Sequence, residues 1–192
     1  MSDVLAIGGL TVGAGEIVAL LGGNGAGKTA LLETVLGFRP GAVSLFGREV
    51  ARLPVEQRVA LGVGYVPERR RVFAGLTVRE NLEAASSLPA AARQRRVEEM
   101  LALARAEMNG ARLLLLDEPT LGLAPVVVAD LFHRLTTLAT EGTAILMSEQ
   151  RAGLALRVAS RGAVLSRGRI VRQGTARELL ADEKLADLMA GG

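Results

Sequence analysis

The chain has 192 residues, a length typical of a single domain. The sequence contains no cysteine, which excludes structural disulfides and thiolate metal sites and fits a reducing compartment. Hydrophobic residues make up 49% of the chain, but no stretch approaches the ~20 apolar residues that span a bilayer. The net charge of +3 does not by itself indicate nucleic-acid binding. The first ten residues have no basic region, so we expect no signal peptide.

The first third of the chain alternates short apolar runs with glycine-rich turns. We predict strands at 4–7, 10–12 and 16–21, and a helix at 30–36 that ends at Gly37. Further predicted elements are a strand at 42–46, a helix at 54–61 with proline in its first turn, and a strand at 63–66.

The middle of the chain changes character and is predicted to be helical. Thr77 and Glu80 form a capping-box pattern, which predicts a helix from there to about residue 86. A second helical run covers 90–108. We therefore predict a reduced helical subdomain at 68–109 within a single domain at 1–192.

The second half resumes the alternation of strands and helices. The run at 112–116 is Arg112 followed by four leucines, and such an apolar stretch is typical of the centre of a parallel sheet. The further predicted elements are a helix at 125–140, a strand at 143–147, a helix at 151–159, a hairpin of strands at 163–166 and 169–173, and helices at 175–180 and 184–189. This order predicts an α/β fold with a mainly parallel sheet.

A glycine-rich run, GGNGAGKT, lies between the strand at 16–21 and the helix at 30–36. It matches the phosphate-loop pattern in the context that this pattern requires. The predicted nucleotide-binding residues are Gly22, Gly23, Asn24, Gly25, Ala26, Gly27, Lys28 and Thr29. Glycines let backbone N–H groups wrap a polyphosphate, Lys28 would reach the β- and γ-phosphates, and the Thr29 hydroxyl would bind Mg²⁺.

Two acidic residues follow the apolar strand at 112–116. A phosphate loop needs a carboxylate from the end of a neighbouring strand to complete the magnesium site, and Asp117 supplies one. Glu118 is placed to orient or deprotonate an attacking water. Alone, this pair is equally consistent with an ordinary turn, but together with the phosphate loop it supplies both halves of a magnesium site.

These motifs, in this order, resemble the ATP-binding subunits of ABC transporters, which are P-loop NTPases. The runs GGNGAGKT and LLLLDEPT carry the resemblance. The runs VGYVPERRRVFAGLTVREN, TLGLAP and GRIVRQGTARELL are closest to the ATPases of bacterial branched-chain amino-acid importers. The resemblance implies ATP hydrolysis coupled to uptake of branched-chain amino acids or similar solutes.

The resemblance also implies further site residues and partners. Glu68 corresponds to the glutamine near Mg²⁺ and the permease, and Gln150 corresponds to the switch histidine. The implied partners are transmembrane permease subunits, a second ATPase subunit and, indirectly, a solute-binding protein outside the membrane. The implied location is the cytoplasmic face of the cell membrane.

The sequence departs from this family in two places. A run of the Leu-Ser-Gly-Gly-Gln type is missing near 97–106, and the N-terminal sheet is short, with no aromatic residue to stack on adenine. The only tyrosine is Tyr65. A second hypothesis is therefore a truncated paralogue that binds nucleotide but hydrolyses little.

Other features carry weaker indications. His133 lies mid-helix with no ligand-type neighbours in sequence, so we expect an ordinary helix residue. The arginines 69–71, 93, 95 and 96 form a basic cluster that is either a solvated face or a surface for an acidic loop or lipid headgroups. A third hypothesis is action on DNA or ribosomes. Against it, the sequence shows no coiled-coil heptads and no tandem second cassette.

Overall fold

The structure, a computed structural model, describes residues 3–68, 110–123 and 125–190. The strands within these residues are β1 (Asp3–Ile7), β2 (Leu10–Gly13), β3 (Ile17–Leu21), β4 (Val43–Leu45), β5 (Arg48–Glu49), β6 (Val63–Val66), β7 (Leu113–Asp117), β8 (Ala144–Glu149), β9 (Arg161–Ser166) and β10 (Arg169–Thr175). The helices within them are α1 (Lys28–Leu36), α2 (Val55–Ala60), α3 (Pro125–Thr140), α4 (Ala152–Ala155), α5 (Ala176–Leu180) and α6 (Leu185–Ala190).

A six-stranded sheet in the order β10-β9-β3-β8-β7-β6 forms the centre of the molecule. All its strand pairs are parallel except β9 with β10, which form a hairpin. The hairpin turns at Arg167 and Gly168, both with positive φ, as a tight two-residue turn requires. The predicted α/β fold with a mainly parallel sheet is confirmed.

Strand β8 lies between the strand that precedes the phosphate loop and the strand that carries the acidic pair. Leu20 of β3 pairs with Ser148 of β8, which pairs on its other side with Asp117 of β7. The expectation that the carboxylate comes from a strand neighbouring β3 is therefore wrong. Because β3, β7 and β8 run parallel, their carboxyl ends still meet at one edge of the sheet.

Both faces of this sheet are covered by apolar side chains. In β3, Val18 and Leu20 belong to one core cluster, whereas Ala19 and Leu21 belong to the other. The five residues of β7 and the six of β8 are all buried. This explains why these strands read as continuous apolar runs without alternation.

A second sheet is antiparallel, with strand order β2-β1-β4-β5. Its side chains complete the core cluster that contains α1. Strand β5 was not predicted, because Arg48 and Glu49 are exposed and polar and give no apolar pattern.

The helices agree with the predictions except at one position. Helix α3 has the predicted bounds. Helix α1 is followed by Gly37, which is its C-cap as expected and has a left-handed backbone conformation. Helix α4 is shorter than the predicted 151–159, because i→i−3 hydrogen bonds from Arg157 and Val158 tighten its end. The predicted helices within 77–108, most of the subdomain at 68–109 and the arginine cluster lie outside the described residues. No helix in the described ranges is long and apolar enough to cross a bilayer.

Candidate nucleotide-binding site

The glycine-rich loop joins β3 to α1. Gly25 and Gly27 have φ values of 77° and 102°, which residues with a Cβ rarely adopt. Gly27 is the N-cap of α1, no side chain caps this helix end, and the first turn contains no acidic residue. The backbone N–H groups of this turn are therefore oriented as an anion-binding site requires.

The loop is held from outside by the last part of the chain. The N–H of Gly168, in the β9–β10 turn, donates to the carbonyl oxygen of Ala26 at 2.9 Å. The N–H of Gly23 donates to the carbonyl oxygen of Met189, in helix α6, at 3.0 Å. Two segments that follow much later in the sequence thus fix the backbone of the phosphate loop.

The first two glycines of the loop have a packing role that sequence reasoning missed. A Cβ on Gly22 would lie 2.5 Å from the carbonyl oxygen of Leu165, and one on Gly23 would lie 2.7 Å from that of Met189. Both distances are too short for a real contact, so the close approach of backbone requires glycine. We call Leu165, Gly168 and Met189 the C-terminal support.

Lys28 is buried, with 6% of its side chain exposed. Its ammonium group donates to the carbonyl oxygens of Gly22 at 2.8 Å and Gly23 at 3.1 Å. It also lies 2.9 Å from Oε1 of Glu118. The lysine therefore joins the phosphate loop to the acidic pair across the sheet edge.

Asp117 is the last residue of β7 and is almost completely buried. Its Oδ1 accepts a hydrogen bond from the Ser148 hydroxyl at 2.5 Å. Burial raises the pKa of Tyr65, and the negative charge of Asp117 adds to this effect, so the tyrosine stays neutral beside the carboxylate. Sequence reasoning missed Tyr65 and Ser148 here, since nothing in their local sequence indicates contact with an acidic group.

Glu118 has a φ of 46°, in the left-handed region that is costly for a residue with a Cβ. Its N–H donates to both the carbonyl oxygen and the hydroxyl of Ser148, at 3.2 and 3.1 Å. Its carboxylate is buried, and among the described residues no well-aligned hydrogen-bond donor reaches Oε1, which faces only the Lys28 ammonium. The backbone turn thus directs a carboxylate at the phosphate loop.

Gln150 follows β8 and links the two motifs. Its side-chain amide donates to the Asn24 side chain of the loop, and its N–H donates to Oε2 of Glu118 at 3.3 Å. The residue that corresponds to the switch position therefore contacts both the loop and the acidic pair.

A cavity of about 340 Å³ lies over these residues. The predicted site residues that line it are Asn24, Gly25, Ala26, Gly27, Lys28, Thr29, Glu68, Glu118 and Gln150. Gly22, Gly23 and Asp117 are not among the lining residues, and His133 is exposed on α3, away from the cavity. The volume and the convergence of polar groups are those of a small-ligand site.

Two side chains near this edge, those of Thr29 and Asp117, carry oxygen atoms of the kind that bind Mg²⁺ together with phosphate. No cluster of three or more His, Cys, Asp or Glu side chains that could hold a metal ion is found in residues 3–68, 110–123 and 125–190. Mg²⁺ commonly uses one or two protein oxygens, with water and phosphate supplying the rest. The Thr29 hydroxyl and the Asp117 carboxylate are of the right chemical type for that arrangement.

Comparison with known proteins places these features in a family context. The family model described as ABC transporter matches residues 8–103. The high-affinity branched-chain amino acid transport ATP-binding protein BraG of Pseudomonas aeruginosa is 38% identical, with 93% of this chain and 89% of the relative covered. That alignment spans 207 positions, more than the 192 residues of the chain, so BraG contains residues that this chain lacks.

Two further relatives resemble the chain in sequence, and one solved structure resembles it in fold. The probable branched-chain amino acid transport ATP-binding protein LivF of Archaeoglobus fulgidus is 34% identical over 92% of this chain and 87% of the relative. The lipopolysaccharide export system ATP-binding protein LptB of Haemophilus influenzae is 30% identical over 95% and 88%. A crystal structure of an ATP-binding cassette of an ABC transporter in its ADP conformation superposes with a TM-score of 0.82, at 18% identity, over 100% of both chains.

Proposed function

Because the chain belongs to the ABC transporter family, a family of ATPases, we propose that it is the ATP-binding subunit of an importer for branched-chain amino acids or similar solutes. The relatives BraG and LivF, whose names specify branched-chain amino acid transport, support this cargo. Because the chain is also 30% identical to LptB, lipopolysaccharide is the competing cargo to be tested, with export as the direction of transport.

The observation that carries the proposal is the convergence of Lys28, Glu118 and Gln150 on one cavity beside the phosphate loop. These groups come from three different elements and are up to 122 residues apart in sequence. A merely structural turn would not require a buried lysine and a buried glutamate to form an ion pair in the wall of a cavity.

We assign the following roles. The loop N–H groups and Lys28 bind the triphosphate, Thr29 and Asp117 hold Mg²⁺, and Glu68 lies at the rim of the same cavity. When bound, Mg²⁺ neutralises charge on the phosphate oxygens. Glu118 orients the attacking water, and the Gln150 amide donates a hydrogen bond to the γ-phosphate.

Nucleotide binding must change the contacts of Lys28. Its ammonium group now donates to two loop carbonyls and pairs with Glu118. A triphosphate carries more negative charge than one carboxylate, so Lys28 exchanges Glu118 for phosphate oxygens. This exchange leaves the Glu118 carboxylate free to accept a proton from water.

The proposed partners follow from the family. They are transmembrane permease subunits, a second ABC ATPase subunit and, indirectly, a solute-binding protein outside the membrane, with this chain on the cytoplasmic face of the cell membrane. We also propose that residues 68–109 form a reduced helical subdomain within one domain at 1–192.

A second candidate function is nucleotide binding with little hydrolysis. It is favoured by the missing Leu-Ser-Gly-Gly-Gln run and by the gaps in the alignment with BraG. In this family that run covers the nucleotide held by the opposite subunit, so its loss removes anion-binding groups from a closed dimer.

The first experiment measures Mg·ATP binding by calorimetry and hydrolysis by phosphate release, for the wild type, Lys28→Ala and Glu118→Gln. We expect Lys28→Ala to lose binding. We expect Glu118→Gln to keep binding and lose hydrolysis by about 100-fold or more. His133→Ala is the matched control, since His133 is exposed and outside the cavity. Wild-type hydrolysis no faster than that of Lys28→Ala would favour the second candidate.

The second experiment tests the cargo. The chain is expressed with its candidate permease and solute-binding proteins, and uptake of radiolabelled leucine into vesicles is measured with and without ATP. ATP-dependent uptake that Glu118→Gln abolishes supports the importer. ATP hydrolysis stimulated by lipopolysaccharide and not by leucine-loaded binding protein would contradict it.

A further inference from the structure

Ser148 occupies an unusual position for a hydroxyl group. It lies in β8, the strand between the phosphate-loop strand β3 and the acidic strand β7, and its side chain is completely buried. The four residues before it in β8 are apolar and buried. An apolar side chain would suit this environment, because burying a hydroxyl costs free energy unless it is hydrogen-bonded.

The hydroxyl group of Ser148 forms its hydrogen bonds with the acidic pair, Asp117 and Glu118, and not with its own strand. Its hydroxyl donates to Oδ1 of Asp117 at 2.5 Å and accepts the N–H of Glu118 at 3.1 Å. Its carbonyl oxygen accepts the same N–H at 3.2 Å. One residue therefore holds the side chain of Asp117 and the left-handed backbone of Glu118.

We propose that Ser148 is a positioning residue for the magnesium site. By donating to Asp117 it fixes the orientation of the carboxylate assigned to the metal, and by accepting from Glu118 it fixes the turn that directs the second carboxylate. A residue that orients a metal ligand typically changes metal affinity 10–100-fold when it is removed. This inference rests on the proposed function, since it requires Asp117 to bind Mg²⁺.

The test separates metal affinity from nucleotide affinity and from stability. Binding of ATP is titrated by calorimetry in excess EDTA and at increasing Mg²⁺, for the wild type, Ser148→Ala and Ser148→Thr, which keeps the hydroxyl. We expect Ser148→Ala to raise the Mg²⁺ concentration for half-maximal enhancement of ATP binding about tenfold or more. Binding in EDTA stays at the wild-type level, and Ser148→Thr restores the wild-type Mg²⁺ dependence.

Two controls complete the design. Ser160→Ala removes a serine hydroxyl that donates to the carbonyl oxygen of Ile17, at the opposite end of β3, and leaves the Mg²⁺ dependence unchanged. In the Asp117→Asn background, Ser148→Ala has no further effect on the Mg²⁺ dependence, because its action passes through Asp117.

Specific outcomes overturn the inference. Equal loss of binding in EDTA and in Mg²⁺ would show that Ser148 is only structural. An unchanged Mg²⁺ dependence in Ser148→Ala, or an undiminished effect in the Asp117→Asn background, would also overturn it while leaving the proposed function intact. Wild-type protein whose ATP binding is insensitive to Mg²⁺ would overturn the assigned metal site and the inference together.

Discussion

The ammonium group of Lys28 lies 2.9 Å from Oε1 of Glu118, and both side chains are more than nine-tenths buried. The two residues belong to different motifs, the loop after β3 and the turn after β7, and strand β8 separates those strands in the sheet. In this arrangement each charge is the counter-ion of the other. Removing either partner alone leaves an uncompensated buried charge.

The first prediction concerns this ion pair. We expect Lys28→Met to lower the free energy of unfolding by about 3–5 kcal/mol, because the Glu118 carboxylate loses its counter-ion. The double variant Lys28→Met/Glu118→Gln recovers most of that loss, since the unpaired Glu118 charge is removed as well. Urea denaturation at pH 7 without nucleotide measures both. Equal stability of the single and double variants would show that the unpaired Glu118 charge is not what destabilises Lys28→Met.

A second prediction follows from the close approach of the phosphate loop to the C-terminal support. In Gly22→Ala the new Cβ would meet the backbone oxygen of Leu165 at 2.5 Å, so the two segments must separate. We expect the free energy of unfolding to fall by about 1–3 kcal/mol, with weaker ATP binding. Gly153→Ala is the matched control, because a Cβ there meets no atom within 4 Å and its φ is not positive. A smaller loss in Gly22→Ala than in this control would contradict the prediction.

A third prediction concerns Arg58, the one buried arginine in the described part of the chain. Its guanidinium donates to the carbonyl oxygens of Thr34 and Val35 at the end of α1, and to those of Ala51 and Leu53. Arg58→Ala removes these four hydrogen bonds, and we expect thermal or urea denaturation to show a loss of about 3 kcal/mol in the free energy of unfolding.

The matched variants for Arg58 test geometry and charge separately. Arg58→Lys keeps the charge but has a single donor group, so it restores only part of the stability. Arg52→Ala removes a nearby exposed arginine and leaves stability within about 0.5 kcal/mol. Full recovery in Arg58→Lys would show that charge, not the set of hydrogen bonds, is what matters.

A fourth prediction concerns pH. Burial alone would raise the pKa of Glu16, but hydrogen bonds from Arg161 and from the N–H of Gly13 outweigh burial and lower it. A carboxyl whose pKa is lower in the folded state adds stability above its unfolded pKa. That stability is lost as the pH falls through the folded pKa.

The wild type should therefore exceed Glu16→Gln in stability by about 1–2 kcal/mol at pH 7, a value discounted for the partial exposure of Arg161. The difference should shrink as the pH falls below 4.5, the ordinary value for this carboxyl, and vanish in stronger acid. Urea denaturation of both proteins from pH 3 to 7 is the measurement. A difference that is constant across this range would mean that the Glu16 carboxylate does not contribute through its charge.

The sequence predicted the main parts of the fold because those parts depend on local patterns. The apolar runs that became β3, β7 and β8, the bounds of α3, and the hairpin turn at Arg167 and Gly168 all follow from periodicity and turn chemistry. The phosphate loop and the acidic pair were also recognisable, since their chemistry requires particular residues at fixed spacing.

What the sequence could not give depends on contacts between distant segments. Arg58 reads as an exposed helix residue, and only the fold brings the end of α1 to its guanidinium. Ser148 reads as the polar end of an apolar strand, and its contact with Asp117 exists only because β8 lies next to β7. The insertion of β8 between β3 and β7 is likewise a property of strand order, which periodicity does not encode.

The anchoring of the phosphate loop by Gly168 and Met189 has a consequence for biogenesis. A ribosome makes the loop, residues 22–29, well before it makes the anchoring residues Gly168 and Met189. A nascent chain therefore carries the motif without the scaffold that shapes it. We therefore expect a growing chain that still lacks residues 168–189 to hold the loop less firmly than the finished fold does.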